Sequence, residues 1–306
     1  MSYSDAVRKD HTCCSGCSLC LLGCPVWHQT RDIRLTPHGR AKAMQHGATA
    51  QDLAASVAQC TLCGSCEPAC PEKIPLVDMI LELRRAAPLF ATGFSDAARN
   101  PASGTVLLAG RSLGGERLQR SARLLGAVVA ADDGADLALA LETGTPIPPA
   151  RLTQFLDGLR AARRLVVGEG LLLRRLKEWL PGIPAESLAA ALLRRGALRA
   201  KLTHTDLYVI EPRSFHGDHA TLVGQYDALQ RATGCMTNLD LQRFAVPTTA
   251  GIAQRALGLP AIDAAAQARW ILAGREVARI VVEDAADLAV FAAVTDRPVL
   301  HLADLA

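Results

Sequence analysis

The chain has 306 residues, 50% of them hydrophobic and only 4% aromatic, with a formal net charge of +3 at pH 7. That length fits two or three compact units, whose cores must be built from Leu, Ala, Val and Ile. The small charge argues against nucleic acid or an anionic membrane as partner, and no stretch reaches the roughly 18–20 uncharged apolar residues that a membrane span requires.

The opening MSYSDAVRKD lacks the apolar core of a secretion signal. Dense cysteine without such a signal points to a reducing compartment and metal work, so a cytoplasmic location is expected. Eight cysteines fall into two copies of one spacing. The first is Cys14-x2-Cys17-x2-Cys20-x3-Cys24-Pro25, and the second is Cys60-x2-Cys63-x2-Cys66-x3-Cys70-Pro71. Three cysteines at three-residue steps reach three corners of a [4Fe–4S] cube, and the fourth corner needs a thiolate from elsewhere. In two-cluster ferredoxins the fourth cysteine of each run serves the other cluster. Two [4Fe–4S] clusters are therefore expected. Cluster one would take Cys14, Cys17, Cys20 and Cys70; cluster two would take Cys60, Cys63, Cys66 and Cys24. Zinc accounts for CxxC pairs but not for this longer run occurring twice. Cys13 fits no ligand offset, and isolated Cys235 reads as a small buried apolar residue. Trp27, close behind a ligand, reads as packing that shields a cube from water.

The 35 residues from Pro25 to Gln59 separate the runs by more than a small ferredoxin uses. Pro37 and Gly39 mark a turn, helix is favoured from Arg40 onward, and Asp52–Ala58 leads into Cys60. After Pro75, VDMILELRRAA groups Val77, Ile80, Leu81 and Leu83 on one helical face. Residues 88–104 read as a linker. From Thr105 strands alternate with helices. Strands are expected at Val106–Ala109, Val128–Ala130 and Arg164–Val167, with helices at 115–127, Pro149–Arg163 and Leu171–Trp179. The second half repeats this course. Its strands are Leu207–Ile210 and Ala278–Val282, and its helices are Tyr226–Thr233, Ala261–Gly274 and Ala285–Val294. Such alternation indicates mostly parallel sheets and an internal duplication. No strand is followed by Gly-x-Gly-x-x-Gly, which disfavours a dinucleotide site. No catalytic constellation is evident. His216-x2-His219 with Asp218 forms a small local cluster that reads as a polar loop before a metal site.

The cysteine runs, the long insertion and the tail CPEKIPLVDMILELRRA resemble the iron–sulfur subunits of glycolate oxidase, anaerobic glycerol-3-phosphate dehydrogenase and heterodisulfide reductase. In that superfamily a helical ferredoxin domain precedes two cysteine-rich CCG repeats. The resemblance implies an α+β multidomain fold: a helical two-cluster domain (1–87), a linker (88–104), a degenerate α/β repeat (105–181), a helical connector (182–205) and a second repeat (206–306). Here the repeats lack the family's thiolates. Arg111 stands at the first opening cysteine, Glu142-Thr143-Gly144 over the Cys-Cys-Gly, and Glu169 and Leu172 over the closing pair. In the second repeat Arg213 replaces the opening cysteine, Asp284 and Asp287 fall over the closing pair, and the middle motif falls near Pro247–Gly251. No further cluster is expected without soft thiolates. Ordinary exposed loop charges are the default reading of these residues, but Arg111 with Glu142 or Glu169, and Arg213 with Asp284 or Asp287, could instead pair in the emptied sites.

The resemblance implies an electron-transfer subunit, itself non-catalytic. It would relay electrons between an FAD-dependent dehydrogenase and a downstream acceptor such as a quinone-linked subunit. Any membrane association would come through those partners. A heterodisulfide-reductase-type enzyme and a cluster-stabilised structural protein remain as rival readings.

Overall fold

Short helices and cysteine loops fill the first third of the chain, and strands begin only at Gly104. The computed structural model describes residues 9–95, 103–249, 251–252 and 262–306. Much of the expected linker, Ala250 of the middle motif and the expected start of a helix at Ala261 lie outside them.

The cysteine-bearing unit carries α1 (Pro25–Thr30), α2 (Pro37–Gln45), α3 (Ala54–Ala58), α4 (Cys66–Ala69) and α5 (Leu76–Ala86). Proline opens α1 and α2, where its missing N–H costs nothing, and the Thr36 hydroxyl caps α2 by accepting from Gly39 N. The apolar face of α5 buries Leu76, Val77, Ile80, Leu81 and Leu83 against Leu53, Val57 and Leu62.

A first sheet follows, with β1 (Gly104–Leu108), α6 (Gly115–Leu125), β2 (Val128–Val129), α7 (Ala135–Thr143), α8 (Pro149–Leu159), β3 (Ala162–Val167), α9 (Gly170–Trp179) and β4 (Ala185–Ser187). Helices α10 (Leu188–Leu193) and α11 (Gly196–Arg199) lead to the second. It comprises β5 (Asp206–Val209), α12 (Pro212–Gly217), α13 (His219–Thr233), β6 (Met236–Thr237), α14 (Ala264–Leu272), β7 (Arg279–Val282), α15 (Asp287–Ala292) and β8 (Val299–His301). The strand orders are β2-β1-β3-β4 and β6-β5-β7-β8, the same arrangement twice, and every pairing is parallel.

Strand side chains alternate between faces, and here the alternation joins the two sheets. Leu107 of β1, Val166 of β3, Tyr208 of β5 and Val281 of β7 enter one core shared by both. Their neighbours Val106, Leu108, Leu165 and Val167 face a core of the first sheet alone, and Leu207, Val209, Ile280 and Val282 one of the second. Continuous apolar strands are what burial on both faces demands.

Three differences from the sequence reading have physical causes. Ala185–Ser187, inside the stretch read as a helical connector, is the edge strand β4, paired with Leu165–Val167. Strands β4, β6 and β8 are two or three residues long, too short for periodicity to register. Helix α7 received no assignment because it is buried nearly all round and so carries no polar stripe. Gly144 ends α7 at φ +84°, and a Cβ there would lie 2.1 Å from the Arg84 carbonyl oxygen, so the turn admits only glycine.

Glu283, just past β7, ties the second sheet to α13. Its carboxylate accepts from Tyr208 Oη at 2.8 Å, from Glu211 N at 2.8 Å and from Tyr226 Oη. Burial nevertheless pushes its carboxyl up to about 7 from 4.5. The folded protein therefore holds this proton to a higher pH than the unfolded chain does. The contribution is whole below about pH 4.5 and is lost as pH rises through about 7, a fall of roughly 3 kcal/mol. Denaturant titrations from pH 5 to 8 should show this decline, and Glu283→Gln should flatten it.

Candidate metal centre

The two cysteine runs trace the same backbone path. The residue before the second cysteine has positive φ in both, Gly16 at 84° and Leu62 at 54°. So does the residue after it, Ser18 at 64° and Gly64 at 80°. The fourth cysteines, Cys24 and Cys70, share φ −80° and ψ 112°. Left-handed backbone costs a non-glycine residue about 1–2 kcal/mol, so Ser18 and Leu62 are held there by the loop and its surroundings. Pro25 begins α1 directly behind Cys24, whereas Pro71 enters a turn.

Cys14, Cys17, Cys20 and Cys70 line one cavity, together with Pro37, His38, Ala41, Ile74 and Leu76. Burial pushes the Cys20 thiol up to about 12, with Cys14, Cys17 and Cys70 as its charged neighbours. Cys24 is pushed up to about 12 by burial, with Cys63 and Cys60 beside it. Burial also raises Cys66 well above its ordinary value, Glu67 and then Cys63, Cys60 and Cys24 adding to the rise. The eight thiols thus sort into the two crossed sets, each fourth cysteine lying with the other run. Thiolates so crowded and buried need compensating positive charge, which a coordinating metal supplies. Among the described residues no three Cys, His, Asp or Glu side chains converge tightly enough to grip a single ion. A cube, which spreads its ligands over four irons, fits a ring of thiols around a cavity better than zinc does.

The surroundings differ between the sets. Cys17 is exposed, and Leu19 and Leu22 beside it are 43% and 45% exposed. Cys24 and Cys63 are buried, and Trp27 packs with Cys24 and Val26 in a small core. Cys13 is exposed and Cys235 buried.

Three side chains from outside the runs hold the second loop by its carbonyls. Arg84, fully buried, donates to the carbonyls of Val57 and Cys60 and to that of Glu142 in α7. Arg213 donates to Thr61 O at 3.0 Å. His216 Nδ1 lies 2.7 Å from Cys63 O, and its Nε2 accepts from Ala245 N, which fixes the Nδ1–H tautomer. Burial drives His216 down to about 4, so it stays neutral. His219 Nε2 lies 3.1 Å from the Arg243 carbonyl, and its ring packs against Phe215, His216 and Phe244, so the His216/His219 pair serves packing. A second tie crosses from α9, where Arg174 grips Glu67 at 2.7 and 3.0 Å and Arg175 reaches Asp78 at 3.0 Å.

One of the two suggested arginine–acid pairs forms and the other does not. Arg111 Nη2 meets Glu142 Oε2 at 2.7 Å. Arg213 does not pair with Asp284 or Asp287. It bridges Glu142 and Glu169 of the first unit, each at 3.1 Å. Asp287 instead accepts from the Thr248 hydroxyl, and Asp284 from Ala286 N at 2.9 Å. The pairing crosses between units because the carboxyl ends of both sheets meet there, a contact no single repeat contains. Arg84 was missed altogether; the only signal in the sequence was a cation on the apolar side of α5.

Residues 10–74 match the family model of a 4Fe-4S dicluster domain. No curated protein and no solved structure matches the chain. The protein is therefore an iron–sulfur protein with an amino-terminal ferredoxin-type domain, followed by two small parallel sheets.

Replacing Arg84 by methionine removes the guanidinium that three carbonyls share, although Val57 O keeps the Cys60 N–H. Denaturation of the cluster-loaded chain should show a loss of roughly 3–5 kcal/mol. Arg84→Lys should recover only part of it, since one ammonium cannot reproduce the guanidinium fork.

Proposed function

We propose that this chain is the electron-transfer subunit of an oxidoreductase complex, holding two [4Fe–4S] clusters in crossed thiolate sets. Cys14, Cys17, Cys20 and Cys70 hold the first, and Cys60, Cys63, Cys66 and Cys24 hold the second. The observation that carries this reading is the sorting of the eight thiols into those two groups, one of them around a single cavity. When bound, each cluster supplies a one-electron couple.

The protein's own residues set the environment of each. Exposed Cys17, flanked by Leu19 and Leu22, gives the first set an edge at the surface where a redox partner can approach. Arg84 and the arginine-bound loop carbonyls surround the second set with oriented positive charge and keep water out. By resemblance to the glycolate oxidase group, the donor is an FAD-dependent dehydrogenase of a small metabolite and the acceptor a quinone-linked subunit. The sheets at 105–181 and 206–306 then act as degenerate CCG repeats, a docking scaffold whose arginine–carboxylate pairs replace metal ligation. That view is supported by their identical strand order and by Arg111, Glu142, Glu169 and Arg213 meeting at the strand ends. A catalytic cluster of the heterodisulfide-reductase kind would need thiolates where these residues stand. Among the described residues no helix is long and apolar enough to cross a membrane, so attachment to one would run through the partners.

Anaerobically purified protein should contain about eight irons per chain, four per cube, and be reversibly reduced by dithionite with paramagnetic signals from both clusters. Cys70→Ala should abolish the signal of the cluster held by the first run, and Cys24→Ala that of the second. Zinc in place of iron, or loss of the uncrossed cluster in either variant, would reject the assignment.

A further inference from the structure

A cleft lies where the two sheets meet. Each sheet reverses its strand order between its two middle strands, β1 and β3 in one and β5 and β7 in the other. Open parallel sheets bind ligands at the carboxyl ends of strands at such a reversal. Here the two reversals face each other across a cavity of about 60 Å³, room for a ligand of a few heavy atoms. Arg111 follows β1, Glu169 follows β3, Glu211 follows β5 and Asp284 follows β7, and all four line the cavity. Cys63, assigned to the second cluster, forms part of the same wall.

Charge decides what the cavity accepts. The Arg213 guanidinium is spent on Glu142, Glu169 and the Thr61 carbonyl, and Arg111 is paired with Glu142. Glu211, Asp284 and Asp287 line the same space with no cation in ion-pair contact among the described residues. Glu211 accepts from Arg213 N and Ser214 N, Asp284 from Ala286 N, and Asp287 from the Thr248 hydroxyl. Burial raises both Glu211 and Asp287, and neighbouring Asp284 raises both further.

A second, independent feature points at a missing donor. Thr249 lines the cavity at 6% exposure, and among the described residues its buried hydroxyl has no hydrogen-bond partner. A buried unsatisfied hydroxyl is costly and rare, and a ligand donor would satisfy it. Among the described residues no three acidic, His or Cys side chains close on one point, so a metal ion is not the match. An ammonium group is: it carries a positive charge and three N–H donors, and needs acceptors spread around it.

We propose that this cavity binds a small molecule bearing a protonated primary amine, with Asp284, Asp287 and the Thr249 hydroxyl as its acceptors. Arg111, its side chain 27% exposed on the cavity wall, is placed to receive a carboxylate on the same molecule. This site goes beyond electron transfer and stands whether or not the clusters carry current.

The test is calorimetric titration of the full, anaerobically purified holoprotein with methylamine, putrescine, L-alanine and L-lysine, with magnesium chloride and succinate as controls. At least one amine should bind with a dissociation constant below about 1 mM. Asp284→Asn and Thr249→Val should each weaken it at least about tenfold, while Thr249→Ser, which keeps the hydroxyl, should retain it. Unchanged visible spectra of the variants would show that their clusters are intact. Tighter binding of the amino acids than of the plain amines would assign the carboxylate to Arg111; the reverse would leave the amine contacts as the whole site. Silence from all four amines, stronger binding of magnesium or succinate, or full affinity in both Asp284→Asn and Thr249→Val would overturn the proposal.

Discussion

Arg84 sits with no exposed surface between the second cysteine loop and helix α7, and its guanidinium reaches carbonyls on both. Burial pulls its pKa only to about 10, so it remains charged at neutral pH. A buried charge must be matched, and here carbonyl dipoles and the neighbouring carboxylates match it. Arg111, Arg213, Glu142 and Glu169 extend the same network. Arg84 and Arg213 place guanidinium groups against carbonyls of the loop that carries the second run of thiols, the kind of surroundings that buried anionic ligands require. The fixed turn at Gly144 brings α7 against the Arg84 backbone, and the network depends on that approach.

The two parallel sheets are bound to the iron–sulfur domain rather than appended to it. Arg213 and His216 come from α12, hold carbonyls of the second loop, and are themselves positioned by the Glu211 cap and the Ala245 amide. From α9, Arg174 and Arg175 take Glu67 and Asp78. The carboxyl ends of the sheets therefore meet where the second set of thiols lies, and the cavity between them shares a wall with Cys63. One geometric fact, two strand reversals facing one cluster loop, links the scaffold to whatever redox work the loop performs.

The local parts of this arrangement were open to sequence reading because they are local. Cysteine offsets fix which thiols a single loop can present, the apolar face of α5 announces itself by period, and the strands β1, β3, β5 and β7, four to six residues long, do so as short apolar runs. Helix α7 and the strands β4, β6 and β8 did not, since two or three residues, or a helix buried nearly all round, carry no contrast to detect. Arg213 shows the limit most plainly. Ion pairing was one reading of it, yet its partners were sought within its own repeat and lie in the other.

The amino-acid sequence by itself determined the metal chemistry, since thiolate type and spacing dictate a cluster ligand regardless of the rest of the chain. It also determined the alternation of strands and helices, which follows from short-range hydrophobic pattern. Only the tertiary structure decided which charges neutralise one another, where Arg84 goes, and that the sheet ends enclose an acid-lined cavity with an unsatisfied Thr249 hydroxyl. Those outcomes depend on contacts between residues far apart in the chain, and burial, which gives each charge its cost, exists only once the units have packed.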